Sequence, residues 1–313
     1  MTRILLDTDI GSSLDDAIAL AWLLANPEVE LLGITTVTGE PVERARLASV
    51  LTGIAGRDIP IVPGAAEPLQ GPGLQQKAIH GARLQVWRHR TEFPEDGAVA
   101  FLSRSLRGTG SGAILLGIGP ATNLARLLHS ASDAFARASA VVLMAGRWAN
   151  RSDLPLVEWN ARNDPKALHA LLHQDLVPVS IVGMAHGMDH TMLGSRFAEL
   201  ARHPLVAPVL DWSSVPGSYR DALHFHDPLA AMAAVRSEVF RWGRPRPSVR
   251  TTAPLAGLTR AWWPEDSPFA DPRDAADDPE RDGWGLPGAL VDLAMGVDSE
   301  AFWRELFAPL ARA

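Results

Sequence analysis

The sequence predicts an α/β protein: a largely parallel central sheet flanked by helices, open-edged and Rossmann-like. Three observations predict it. Short apolar runs alternate with longer stretches of helical period along most of the chain. Some of those runs are apolar on both faces, as a strand covered by helices on either side requires. Finally, 313 residues at 47% hydrophobic and 21% charged are enough to bury a large core without a staple.

The elements follow in order. Residues 4–6 are the first strand candidate, and residues 15–25 form the helix after it. Residues 29–37 and 41–55 repeat the unit. Residues 113–118 contain Ala113-Ile114-Leu115-Leu116, a run suited to the centre of a parallel sheet, with a helix at 122–129. Strands at 140–144 and 177–182 enclose a helix at 165–173. The stretch 264–285 is rich in Pro, Asp, Glu and Arg and reads as a surface loop or insertion. After it, 289–293 and 299–310 return to strand and helix. No repeat or linker divides the chain, so a single domain over 1–313 is expected.

Composition excludes several functions. With no cysteine there is no disulfide framework, thiol nucleophile, iron–sulfur cluster or cysteine zinc site. A formal net charge of −7 argues against a general nucleic-acid binder, which carries a basic face. The apolar part of Met1-Thr2-Arg3-Ile4-Leu5-Leu6-Asp7 is too short for a secretory signal. No apolar run approaches the roughly 20 residues that span a bilayer. A cytoplasmic protein without nucleic-acid or membrane partners is the expectation.

In open α/β sheets the chemistry gathers beyond the carboxyl ends of the strands. Here the first strand runs into Asp7-Thr8-Asp9-Ile10-Gly11-Ser12-Ser13-Leu14-Asp15-Asp16, four carboxylates at one strand-to-helix turn. Left alone, they raise one another's pKa values. A hard cation removes the conflict, and calcium takes about six to eight oxygen ligands from loops of this sort. Asp15 and Asp16 also suit a helix N-terminus, where acids contribute about 0.3–1 kcal/mol each. That leaves Asp7 and Asp9 unexplained. An Asp-x-Asp after a first strand also opens haloacid-dehalogenase-type phosphatases, which need a catalytic lysine and a late acidic motif after a strand. The only lysines are Lys77 and Lys166, and Asp277-Asp278 falls in the polar stretch.

The opening motif resembles that of the nucleoside hydrolases of the inosine–uridine-preferring type. Further matches occur in the family's order: Gly33-Ile34-Thr35-Thr36-Val37-Thr38-Gly39, Ile79-His80-Gly81, Gly117-Ile118-Gly119-Pro120-Ala121-Thr122-Asn123-Leu124-Ala125, Met144-Ala145-Gly146, Glu158-Trp159-Asn160, Asp164-Pro165 and His226-Asp227-Pro228. The resemblance implies a calcium ion held by Asp9, Asp16, Asp227 and the backbone carbonyl of Thr122. It implies that Asp15, Glu158 and Asn160 bind a ribose, with Asp7 as a supporting carboxylate behind them. His80, Glu40 and Asn150 are further candidate substrate contacts. The implied activity is hydrolysis of the N-glycosidic bond of a ribonucleoside or related N-riboside, by a protein that is a homo-oligomer, dimer or tetramer.

The chemistry agrees. Breaking an N-glycosidic bond passes through an oxocarbenium-like sugar, which carboxylates stabilise. Asp9 is the candidate general base for a water whose pKa the cation lowers. His226, beside Asp227, is the candidate acid for the leaving base, and Trp148 or Trp159 could stack on that base. Plainer readings exist for some positions. Asp227-Pro228 suits a helix start, Asp164-Pro165 is read as that device alone, and His80, His186, His190 and His224 read as hydrogen-bonded scaffold.

Three departures from the family pattern stand out. Glu40 replaces a ribose-contacting asparagine, and Ser152 replaces another, with Asn150 nearby but out of step. The loop 10–14 is two residues longer than the common form, with Ile10 in place of a proline. The segment 211–223 carries Tyr219 and Arg220 as a candidate lid over the leaving group. The alternative to hydrolysis is a calcium- or ribose-binding relative in which Glu40 and Ser152 mark lost catalysis.

Overall fold

The computed structural model describes residues 1–74, 77–108, 112–149, 151–218, 222–264, 267–269, 284 and 286–311. The strands, in chain order, are β1 (Thr2–Thr8), β2 (Val29–Thr36), β3 (Ile61–Pro63), β4 (Ala113–Gly117), β5 (Ala140–Met144), β6 (Val179–Val182), β7 (Thr191–Leu193), β8 (Ala222–His224), β9 (Phe240–Gly243), β10 (Arg246–Val249), β11 (Thr259–Trp262) and β12 (Asp292–Val297). The helices are α1 (Asp15–Ala25), α2 (Pro41–Ile54), α3 (Gly97–Gly108), α4 (Thr122–Ser130), α5 (Ser132–Phe135), α6 (Trp159–Asn163), α7 (Pro165–His173), α8 (Met184–Asp189), α9 (Gly194–Leu200), α10 (Ala207–Trp212), α11 (His226–Val235) and α12 (Ser299–Leu310). Among these helices none is long and apolar enough to cross a membrane.

Eight strands form one sheet in the order β3-β2-β1-β4-β5-β6-β12-β9, parallel except where β9 joins β12. The chain first moves outward from β1 through β2 to β3, then returns to β4 on the other side of β1. The order therefore reverses between β1 and β4, which opens a crevice at their carboxyl ends. In β1, Ile4 and Leu6 enter one apolar layer and Leu5 the other, as period-2 alternation requires. Helix α1 is buried from Asp15 through Leu24 and packs against α11, so an all-round apolar sequence sits at the centre of its layer.

The predicted elements recur with shifted ends. The strand expected at 177–182 starts at Val179, because the Gln174 side chain accepts from the N–H groups of Leu176 and Val177 and holds a turn there. The strand expected at 289–293 starts at Asp292. Before it, the N–H groups of Gly288, Ala289 and Val291 are taken by Pro247, Leu172 and Pro245. The edge strands β3 and β9 and the helix α3 were not among the expected elements, although α3 buries Ala98, Phe101, Leu102 and Leu106 at helical spacing. Asn150, Tyr219, Arg220 and most of the stretch 264–285 lie outside the described residues.

Candidate active site

The site begins where β1 ends. The Thr8 hydroxyl donates to Asp16 Oδ1 at 2.5 Å and accepts from the Ile10 N–H at 3.1 Å, tying the loop after β1 to the first turn of α1. Gly11 takes φ +113°, and a Cβ there would lie 2.5 Å from Leu47 Cδ1, so this bend demands glycine. Gly119, after β4, allows a second close approach: its Cβ would lie 2.9 Å from the Asp9 nitrogen. The two loops at the switch point thus meet around Asp9.

A cavity of ≈ 320 Å³ opens over this junction. Its carboxylate lining is Asp9, Asp15, Asp16, Glu158 and Asp227. Asn160 and His226 face the same space, with Ser12, Ser13, Ile118, Met144, Trp159 and Met184 completing it. Carboxylate oxygens of Asp15, Asp16 and Asp227 lie within 4.8 Å of one another, and all three residues are buried. Burial and then the neighbouring charges push Asp16 and Asp227 well above the usual carboxylate range. Asp9 is pushed up to about 6, by burial against the opposing pull of Arg44. Converging hard oxygen donors that resist ionising together are the donor set of a divalent cation such as calcium, and the residues present fit one.

The flanking residues are held by backbone. Glu158 caps α6: it accepts from the N–H groups of Asn160 at 2.6 Å, Ala161 at 2.9 Å and Gly146 at 2.8 Å. Burial raises its pKa while those donors lower it. Asn160 donates to the carbonyls of Ile118 at 2.9 Å and Met144 at 3.0 Å, pinning the ends of β4 and β5 together. Its amide oxygen remains for other partners. His226 opens α11, and burial lowers its pKa, so its ring is held neutral. Asp227 lies inside the first turn of α11, whose N-cap position is Phe225, so it is an acid of the first turn and not the N-cap.

Other expected residues lie elsewhere. Asp7 is buried behind the cavity, accepting on Oδ1 from Thr35 Oγ1 at 2.6 Å and Asn123 Nδ2 at 2.8 Å. Burial raises its pKa to about 7. The Thr122 hydroxyl turns away to Asp164 Oδ2 at 2.7 Å, and Asp164 caps α7, the structural role expected of it. Glu40 is exposed and accepts from the Ala78 N–H at 2.9 Å, and it is not among the residues that line the cavity. His80 is fully buried and stacks on Trp212 at 6.0 Å rather than lining the cavity. Trp148 is likewise consumed by the scaffold, donating to the Ala145 carbonyl at 2.6 Å, whereas Trp159 stands at the cavity mouth. Ser152 is exposed and off the lining.

Sequence reasoning missed four contributors. Ser12 and Ser13 line the cavity, and they are the extra length already visible in loop 10–14. Arg44, buried behind that loop, gave no signal in a helix whose other arginine, Arg46, is surface-exposed in part. Gly187 on α8 abuts the His226 ring, a contact no local pattern announces.

The whole arrangement has counterparts. Residues 4–304 match the family model described as inosine–uridine preferring nucleoside hydrolase. An uncharacterized protein of Schizosaccharomyces pombe is 32% identical, with 99% of each chain covered. Uridine nucleosidase 1 of Arabidopsis thaliana is 26% identical over 82% of this chain and 81% of its own. A plant nucleoside hydrolase of known structure matches with a TM-score of 0.83 at 22% identity, covering 100% of this chain and 99% of that one.

Proposed function

Since the chain belongs to the inosine–uridine preferring nucleoside hydrolase family, and is thereby a hydrolase acting on N-glycosyl bonds, we propose that calcium is its cation, a ribonucleoside or related N-riboside its substrate, and Asp9 its general base. The observation that carries this reading is the convergence of Asp9, Asp15, Asp16 and Asp227 on one cavity that Glu158, Asn160 and His226 also face. Asp9, Asp16 and Asp227, with the Thr122 carbonyl, would hold the ion, and the tight triad of oxygens makes Asp15 a further candidate ligand. When bound, calcium supplies orientation of a vicinal diol and a lowered pKa for a coordinated water.

The chain's own residues do the rest. Asp9 takes a proton from the water that attacks the anomeric carbon, and a carboxylate raised to about 6 is suited to that exchange near neutral pH. The buried carboxylates stabilise the positive charge that develops on the sugar as the bond to the base lengthens. Asn160, fixed by two backbone carbonyls, offers its amide oxygen to a ribose hydroxyl. Neutral His226 donates an N–H toward the departing base, so the base leaves without needing full negative charge. Ile118, Met144 and Met184 supply an apolar wall that keeps bulk water from the reacting centre.

Family membership removes the phosphatase reading. Cytoplasmic residence and assembly into a dimer or tetramer belong to the same proposal. Incubation with a panel of purine and pyrimidine ribonucleosides, followed by assay of reducing sugar, tests it.

A further inference from the structure

The loop after β1 must aim its carboxylates at one point, and its backbone faces the other way. The carbonyls of Asp9 and Ile10 both accept from Arg44 Nη1, the latter at 3.1 Å. The next carbonyl, Gly11, accepts from the His80 N–H at 3.0 Å. Ser12 Oγ accepts from Arg44 Nη1 at 2.9 Å and donates to the Lys77 carbonyl at 3.0 Å. From the same guanidinium, Nε donates to the Thr38 carbonyl at 2.8 Å, across a residue held at φ +68°. Arg44 is 0% exposed. One planar fork therefore grips two loops at once, and three successive carbonyls of the carboxylate loop turn onto donors outside the cavity.

We propose that Arg44 is a positioning residue that sets the longer loop in its cation-binding shape before any cation arrives; the inference rests on the calcium reading above. Two effects of the guanidinium oppose each other. Its charge repels an incoming cation, while its hydrogen bonds remove the cost of ordering Asp9 and its neighbours around that cation. The guanidinium makes several bonds to loop backbone, and its charge stands on the far side of that backbone from the cavity. Ordering outweighs repulsion. The same charge offsets part of the like-charge repulsion among the carboxylates gathered at the end of β1. Lysine would keep the charge but lose the planar fork that reaches Thr38, Ile10 and Ser12 together.

The experiment uses the full chain and measures calcium binding by calorimetry, without substrate, for wild type, R44K and S12A. Thermal melts run alongside. The expected result is calcium affinity at least tenfold weaker in R44K and about threefold weaker in S12A. The calcium concentration for half-maximal turnover should rise by the same factors. A merely structural role lowers the melting temperature and leaves the calcium constants unchanged. A role for charge alone leaves R44K like wild type. Either result overturns the proposal. If R44K does not fold, S12A decides, because an unchanged calcium constant there is also contrary. No calcium binding by wild type overturns the metal reading itself and this inference with it, which keeps the two failures apart.

Discussion

Gly187 on α8 lies against the imidazole of His226: a Cβ at position 187 would fall 1.9 Å from His226 Nδ1. The ring is therefore seated by the absence of a side chain on a neighbouring helix. Gly187→Ala favours the helix by as much as about 1 kcal/mol, yet it forces the ring to move. The expected outcome is kcat/KM lowered roughly 10- to 100-fold, with melting temperature and calcium affinity close to wild type. Steady-state kinetics with calorimetry on the same preparation checks it. Unchanged kinetics would remove His226 from the reaction.

Asp9→Ala should abolish turnover, by at least about a thousandfold, since it removes both a cation ligand and the proton acceptor. The protein should stay folded, because the variant relieves like-charge crowding in a buried cluster. Residual activity near wild type, measured with saturating calcium, would transfer the base to another residue.

Calcium affinity should fall as pH drops through about 6. Asp9 has its folded pKa there and Asp16 and Asp227 lie well above the usual range, so protons compete with the ion for the same oxygens. The increase in melting temperature caused by calcium should be large at pH 7.5 and largely lost at pH 5. A calcium shift that grows on acidification would contradict this assignment.

Asp7 gives a prediction of opposite sign for the calcium-free protein. Its pKa rises from 3.8 to about 7 on folding, so the folded state holds a proton that the unfolded chain releases. Stability from this group is present below pH 4 and is lost as pH rises toward 7, at about 1.4 kcal/mol per unit. Asp7 Oδ2 has no hydrogen-bond partner, and asparagine would keep the Oδ1 bonds to Thr35 and Asn123. Asp7→Asn should match wild type near pH 4 and be more stable by a few kcal/mol at pH 8, on the order of that slope. Urea denaturation at the two pH values, with a chelator present, measures the difference.

Glu40→Ala should cost about 0.5–1.5 kcal/mol of stability through the lost bond to the Ala78 N–H, and leave kcat/KM within about threefold. A tenfold loss of activity at unchanged stability would return Glu40 to the substrate.

How much of this was legible in the sequence differs by residue. Asp9, Asp15 and Asp16 were legible because they follow the first strand, beside which the sheet order reverses, whereas Asp227, in the first turn of α11 after the separate β7-β8 pair, was legible only through its motif. The central strands announced themselves by apolar runs, while β3 and β9, short and at the sheet edges, did not. Glu40 and His80 lie off the cavity lining, because sequence neighbours of a motif need not face its cavity. One step of backbone bonding, to Ala78, was enough to divert Glu40. Arg44 and Gly187 were invisible for the converse reason: Arg44 reaches Asp9, Ile10 and Ser12, and Gly187 meets His226, each more than thirty positions away, and neither residue type signals such a contact.

The most direct measurement is a proton NMR time course of the protein with a ribonucleoside panel, run with calcium, with a chelator, and with calcium restored. The account predicts equimolar ribose and free base from at least one nucleoside, lost with the chelator and recovered on adding calcium back. Folded, calcium-bound protein that releases no ribose from any N-riboside would contradict it.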